Sequence, residues 1–253
     1  MPKYDQKNPG ERFFVRPDDV HGALLELRGD EAKHAQKVLR RKKGQAIICV
    51  DGVGIEYHGI IDGFRDKRVQ VTIAKTLRRQ REPYLEVRLI QAVAKDSRFR
   101  QVVEKSVELG VQSIVPVETK RTKPGDWGKH VGRWQKVAVV AMKQCGRTRL
   151  PEVLPCADIA DALNAVDAQR KFIAHPDWEQ DGPVPSLLKA AGSLDAVKSA
   201  ALAIGPEGGF TDEEVAAAVE CGFVPVHLGE RRLRSETAAI ASLTLLMGHA
   251  GEL

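Results

Sequence analysis

Carboxylates, guanidinium groups and glycines crowd two short stretches near the end of this 253-residue chain. The first is Gly205-Pro206-Glu207-Gly208-Gly209, which follows the aliphatic run Ala200–Ile204 and precedes Thr211-Asp212-Glu213-Glu214. The aliphatic run reads as a buried strand, the Gly/Pro cluster ends it, and Thr three residues ahead of Glu is the pattern of a capping box opening a helix. The second stretch repeats this order. Val224–Leu228 reads as a strand, Gly229 breaks it, and Glu230, Arg231, Arg232, Leu233, Arg234 and Ser235 lead to a helix expected to begin near Glu236 and Thr237. Glycine lets a ligand approach the backbone, and a helix start offers free N–H donors. Two such loops fit one composite binding site, although ordinary tight turns use the same residues.

The residue types narrow the ligand. No Lys-Ser/Thr pair follows the second glycine, so the loop is not a phosphate-cradling P-loop, and Gly52-Val53-Gly54 meets Tyr57 where a dinucleotide fingerprint needs its third glycine. Glu207 would repel a phosphate and suits a neutral or cationic ligand held largely by backbone. The cysteines, at 49, 145, 156 and 221, lack metal-binding or redox spacing. Neither a metal nor a disulfide framework is expected.

The elements that must position these loops fall into two domains. Residues 1–75 read as a small, mostly β domain, with a short helix over Asp30–Arg40 and strands over Gln45–Val50, Ile55–Ile61 and Arg68–Ala74. Asp51-Gly52 and Asp62-Gly63 are the expected turns. A charged, proline-ended linker, 76–83, follows; it is either a plain hydrophilic connection or a further contact with a binding partner. From 84 to 253 strands alternate with helices: Leu85–Val93, Val111–Val117, Arg170–Ala174, Ala200–Ile204 and Val224–Leu228 as strands, with helices over Ser97–Leu109, Lys129–Cys145 and Thr237–Met247. Alternation of this kind implies an α/β domain with a parallel sheet. Ligands in such sheets sit beyond the carboxyl ends of strands, where His175, Gly205 and Gly229 all fall.

Net charge is +5, but its distribution says more: nine Lys/Arg and one acid lie between Lys120 and Arg149, the footprint of a polyanionic partner. A shorter cluster, Lys37 with Arg40–Lys43, is either a second contact or a solvated face. The polar N-terminal segment and the absence of a long apolar run lead to the expectation of a soluble, cytoplasmic protein without membrane contact.

The motifs Ala203–Phe210 and Leu228–Ala238 resemble the C-terminal signature of the bacterial 16S ribosomal RNA uridine-N3 methyltransferases, which belong to the SPOUT class of knotted, S-adenosylmethionine-dependent enzymes. Arg12–Val15, His34, Val38–Arg40, Lys105–Gly110 and Gln144–Arg147 fall in the family's order, so the resemblance spans nearly the whole chain. It implies a PUA-like β-barrel before a trefoil-knotted methyltransferase domain, S-adenosylmethionine as cofactor, and a homodimer acting on 16S rRNA of the small ribosomal subunit. It further implies that His175, Ile204, Gly205, Pro206, Glu207, Gly208, Gly209, Leu228, Gly229, Leu233, Glu236 and Thr237 hold the cofactor. Glu207, Arg234 and Arg147 are the candidate catalytic residues, and Arg12, Arg40, Lys95, Lys105, Gln144 and Arg147 the candidate RNA contacts.

Several roles stay open on sequence alone. Glu207 is a proton acceptor or a loop-bracing ion pair, and His175 a pocket residue or a structural histidine. Glu236 holds loop N–H groups or caps the last helix. Arg147 meets a phosphate or a uracil carbonyl, and Lys105 meets RNA or pairs with Glu104 and Glu108. The alternatives to the function itself are a related knotted methyltransferase with another RNA target and a non-catalytic rRNA-binding assembly protein.

Overall fold

The computed structural model describes residues 11–175 and 183–253. The chain forms two compact units: one holds the described residues up to Glu82 together with Val139–Leu150, the other Pro83–Ala138 with the described part of Pro151–Leu253. The segment Val139–Leu150, which the sequence reading grouped with the second domain, is thus part of the first unit. Pro176, the expected end of a strand, lies outside the described residues.

In the first unit the strands are β1 (Arg12–Phe14), β2 (Val20–His21), β3 (Leu24–Leu27), β4 (Ala46–Val50), β5 (Ile55–Arg65) and β6 (Arg68–Arg78), with helix α1 (Gly29–Lys33) continuing into a wider turn over His34–Val38. They make one six-stranded sheet in the order β1-β4-β5-β6-β3-β2, antiparallel except for the β1–β4 pair. Alternate side chains, among them Phe13, Leu25, Leu27, Cys49, Ile61, Val69 and Val71, bury one face with Ala32 and Ala35 of the helical segment. Asp51 turns the chain as expected, its Oδ1 accepting the N–H groups of Val53 and Ile55. The second turn lies elsewhere. Asp62-Gly63 is inside β5 beside a register shift, and the hairpin closes at Asp66-Lys67, both with left-handed backbone (φ 49° and 61°). A bulge absorbed the glycine, and a two-residue turn of positive φ matches the strand twist.

The expected linker is largely structural. Strand β6 runs into it as far as Arg78, and Glu82 Oε1 accepts the N–H groups of Thr148 and Arg149 at 2.7 and 2.8 Å. The carboxylate fixes the Val139–Leu150 segment within its own unit.

The second unit contains β7 (Glu86–Ala92), α2 (Asp96–Glu108), β8 (Ser113–Glu118), the start of α3 (Val131–Cys145), β9 (Glu152–Val153), β10 (Ala157–Asp158), α4 (Ile159–Ala165), β11 (Arg170–Ala174), α5 (Leu187–Ala191), β12 (Ser199–Ile204), α6 (Asp212–Glu220), β13 (Val224–Val226) and α7 (Ser235–His249). All sheet pairings are parallel, in the order β10-β8-β7-β12-β11-β13, with β9 also on β8. Central strands β7 and β12 are almost wholly buried, as a sheet covered on both faces requires. On α2, Phe99, Val102, Val103 and Val107 all face inward, as their spacing predicts. On α3 Trp134, Ala138, Ala141 and Met142 are buried, Val137 and Val139 half-buried and Val140 exposed. Asp96 anchors the start of α2, accepting from Trp134 Nε1 (3.0 Å), His130 Nδ1 (3.1 Å) and Arg133 (3.2 Å). Burial alone would raise its carboxyl, but these donors hold it below its ordinary value. Among the described residues no helix is long and apolar enough to cross a membrane.

Arg12, expected on an RNA surface, is buried on β1 with Nε 2.8 Å from Glu56 Oε2, while Glu56 Oε1 lies 2.6 Å from His58 Nε2. Desolvation works to raise the Glu56 carboxyl, and Arg12 and His58 outweigh it, leaving it below the ordinary carboxylate value. A carboxyl depressed on folding stabilises above its unfolded value and loses that contribution as pH falls through the folded value. Glu56→Gln is therefore expected to lower the melting temperature at neutral pH and to flatten its fall below about pH 5, as followed by circular dichroism.

Candidate functional site

The carboxyl ends of β11, β12 and β13 open onto a cavity of about 1080 Å³. Its walls are Ala174 and His175 after β11, Ile204–Gly209 after β12, and Val226–Leu233 after β13, closed by Ser235 and Ala238 of α7 and by Arg121. Ten of the twelve expected cofactor-binding residues line it together; Glu236 and Thr237, in the first turn of α7, are not among its walls.

Each loop is held by specific bonds. In the first, Gly209 N–H closes a turn on Pro206 O at 2.9 Å, with Gly209 at φ +73°, which disfavours any residue with a Cβ. At Gly205 a Cβ would lie 3.2 Å from the buried Phe210 ring. The capping box is present in both directions: Thr211 N–H donates to Glu214 Oε2 at 2.8 Å, and Glu214 N–H to Thr211 Oγ1 at 3.3 Å. Glu214 Oε1 also accepts from Lys120 N–H, and Arg121 Nη1 donates to the carbonyls of Gly208 (2.7 Å) and Phe210 (3.0 Å). The second loop is pinned at its start, where His227 exchanges backbone bonds with Pro185 (3.0 Å) and Leu187 (3.1 Å).

The two loops meet at Ser235. Its hydroxyl donates to Gly205 O at 2.6 Å and accepts from Gln91 Nε2 at 2.8 Å, all three groups being buried. The end of β7, the first loop and the start of α7 are thereby joined at one atom. His175 N–H donates to Val226 O at 3.1 Å, so His175 continues the β11–β13 pairing into the cavity wall.

The charged residues divide differently from expectation. Glu207 forms an ion pair with Arg98 of α2, whose Nε is also 3.9 Å from Glu236 Oε1. That is the bracing alternative for Glu207; Glu236 Oε2 is buried without a hydrogen-bond partner, and the residue before α7, Arg234, is exposed and makes no side-chain cap. Arg147 is not presented to a ligand. Its guanidinium is buried in the first unit, with Nε and Nη2 at 3.1 and 2.9 Å from Glu82 Oε2. Lys105 pairs with Glu104 and Glu108 on its own helix, which push its ammonium up to about 12. Arg40, Lys95 and Gln144 are exposed.

Four residues of this arrangement escaped the sequence reading. Arg121 was hidden in a basic run that suggested RNA, and Arg98 in an ordinary amphipathic helix. Ser235 stood inside a recognised motif without a role. Gln91 carried the best signal, an amide near the end of an otherwise apolar strand, since a polar group so placed must find a partner.

A family profile described as an RNA methyltransferase domain matches residues 80–247, and one described as an RNA methyltransferase PUA domain matches residues 27–74. The chain belongs to the RNA methyltransferase family. This member is similar to the ribosomal RNA small subunit methyltransferase E of Synechocystis, at 29% identity over 92% of this chain and 75% of that one. It is similar also to that of Bacillus subtilis, at 27% over 93% and 95%. A crystal structure of ribosomal RNA small subunit methyltransferase E from Neisseria gonorrhoeae, bound to S-adenosyl methionine, matches with a TM-score of 0.83 and 29% identity, covering 94% of this chain and 97% of that one. The fold of this RNA methyltransferase is thus the expected α/β domain preceded by a PUA domain.

Removing the Arg147 guanidinium leaves Glu82 buried without its counter-charge, which costs about 3–5 kcal/mol. Arg147→Ala should lower the urea midpoint accordingly; an unchanged midpoint would mean that the pair does not hold the segment.

Proposed function

We propose that this chain is an S-adenosylmethionine-dependent methyltransferase that converts one uridine of 16S rRNA in the small ribosomal subunit to 3-methyluridine. The observation that carries the reading is the backbone-walled cavity built from both signature loops, Ile204–Gly209 and Val226–Leu233, at the carboxyl ends of three parallel strands. The residues fit such a cofactor: the cavity has room for a nucleoside joined to an amino acid, its walls offer main-chain donors and acceptors, and half-buried Leu228 and Leu233 supply apolar cover.

When bound, S-adenosylmethionine supplies a methyl group on a sulfonium, and no nucleophilic side chain or metal is needed for its transfer to a ring nitrogen. The chain's part is positioning. In this reading the loops orient the cofactor, and the free N–H groups at the start of α7, with exposed Arg234, meet negative charge on the uracil carbonyls as the imino proton leaves. Glu207, engaged by Arg98, braces the first loop and is not assigned the proton. Arg147 acts at a distance by fixing its own segment. The exposed Arg40, Lys95 and Gln144 remain as candidate RNA contacts.

Two further features belong to this reading. The stretch from His227 to Ser235 is bonded to Pro185 and Leu187 at one end and to Gly205 and Gln91 at the other, which supports a threaded, knotted path for the C-terminal segment. Helix α7 buries Leu243, Leu246 and Met247 but leaves Leu245 exposed, which supports a homodimer contact there, in a cytoplasmic enzyme.

Incubation with labelled S-adenosylmethionine and small subunits lacking the modification, or naked 16S rRNA, tests the reading when the digested RNA is examined by mass spectrometry. Label in 3-methyluridine is expected from subunits. Label in another nucleoside overturns the substrate assignment, and its absence from every RNA overturns the activity.

A further inference from the structure

A carboxylate of the cavity wall and a second one close by hold more negative charge than bracing requires. Glu207 lines the cavity with 60% of its side chain exposed, whereas Glu236 on α7 has only 12% exposed. Both face Arg98, which pairs with Glu207 and places Nε 3.9 Å from Glu236 Oε1. The second oxygen of Glu236 is buried and has no hydrogen-bond partner. One guanidinium therefore serves two carboxylates, and the cluster keeps about one net negative charge. A simple brace needs one acid for one base, and an unpartnered buried oxygen opposes folding.

The other charged groups of the cavity lie on different segments. Arg121 is committed to the carbonyls of Gly208 and Phe210, and Arg231, Arg232 and Glu230 are exposed on the second loop, with His175 after β11. Glu207, with Arg98 and Glu236 beside it, thus gives one wall of the cavity an acidic bias, and Arg231 and Arg232, against Glu230 alone, give the second loop a basic one. That polarity matches a ligand carrying both a cation and a carboxylate.

Resting on the reading of the cavity as the S-adenosylmethionine site, we infer that the Arg98–Glu207–Glu236 cluster discriminates between the charge states of the cofactor, favouring the sulfonium that enters over the neutral thioether that leaves. Methyl transfer breaks the sulfur–methyl bond, whose electron pair stays on sulfur. It forms a nitrogen–methyl bond from the nitrogen pair and releases the imino proton to solvent. The ligand in the cavity loses one positive charge, and the attraction of the cluster falls with it. The carboxylates act on binding and release, as positioning residues for charge, and take no proton. Because Glu207 is exposed and screened, the expected discrimination is modest, roughly three- to tenfold.

Calorimetric titration of the full chain with S-adenosylmethionine and, separately, with S-adenosylhomocysteine tests this. Glu207→Gln and Glu236→Gln should each lower the ratio of the first affinity to the second roughly three- to tenfold, whereas Arg98→Gln should raise it. Opposite signs are not expected of a merely structural brace. Equal losses for both ligands, or an unchanged ratio in all three variants, would overturn the inference while the functional reading stands. If the unaltered chain bound neither ligand, that reading would fail and the inference with it.

Discussion

A single hydroxyl, that of Ser235, holds the site together. It donates to Gly205 O and accepts from Gln91 Nε2, joining the first loop, the first residue of the last helix and the end of a central strand. All three residues are buried, so without the hydroxyl Gly205 O would lose its donor and Gln91 Nε2 would keep the Ala92 carbonyl alone. The cavity exists because two loops, joined through Gly205 and Ser235 thirty positions apart, are closed against the same strand. Its volume and its backbone lining follow from that junction, and so does the orientation of the α7 amino end.

Charge is used in two ways in this chain. The Arg12–Glu56 and Arg147–Glu82 pairs are buried within the first unit, where each carboxylate also engages further groups: His58 for Glu56, and the N–H groups of Thr148 and Arg149 for Glu82. Such pairs specify a conformation more than they add stability, since desolvation offsets their attraction. Around the cavity the ions are more exposed and their numbers do not match, as with Arg98 between Glu207 and Glu236. The same residue types thus fix a scaffold in one unit and give polarity to a ligand site in the other.

Sequence and structure agree where local chemistry decides. The capping box at Thr211–Glu214, the glycine loops, the inward face of α2 and the alternation of strand and helix all follow from short-range patterns. They part where a partner distant in sequence decides. Arg12 and Arg147 look like nucleic-acid contacts because basic residues are seldom buried, and nothing local to them announces Glu56 or Glu82. Arg121 likewise sits in a basic run, yet its partners are carbonyls 87 and 89 positions away. The turn expected at Asp62-Gly63 was displaced because the longer pairing of β5 with β6 kept that dipeptide within the sheet.

The central claim, that the two loops form one cofactor pocket through Ser235, is tested most directly by calorimetric titration of Ser235→Ala with S-adenosylmethionine. Loss of the hydroxyl leaves Gly205 O without its donor and Gln91 Nε2 with the Ala92 carbonyl alone, a cost of about 1–3 kcal/mol that falls on the closed arrangement of the loops. The account predicts a protein that still unfolds cooperatively but binds the cofactor about five- to a hundredfold more weakly. Unaltered affinity in a folded Ser235→Ala protein would contradict it.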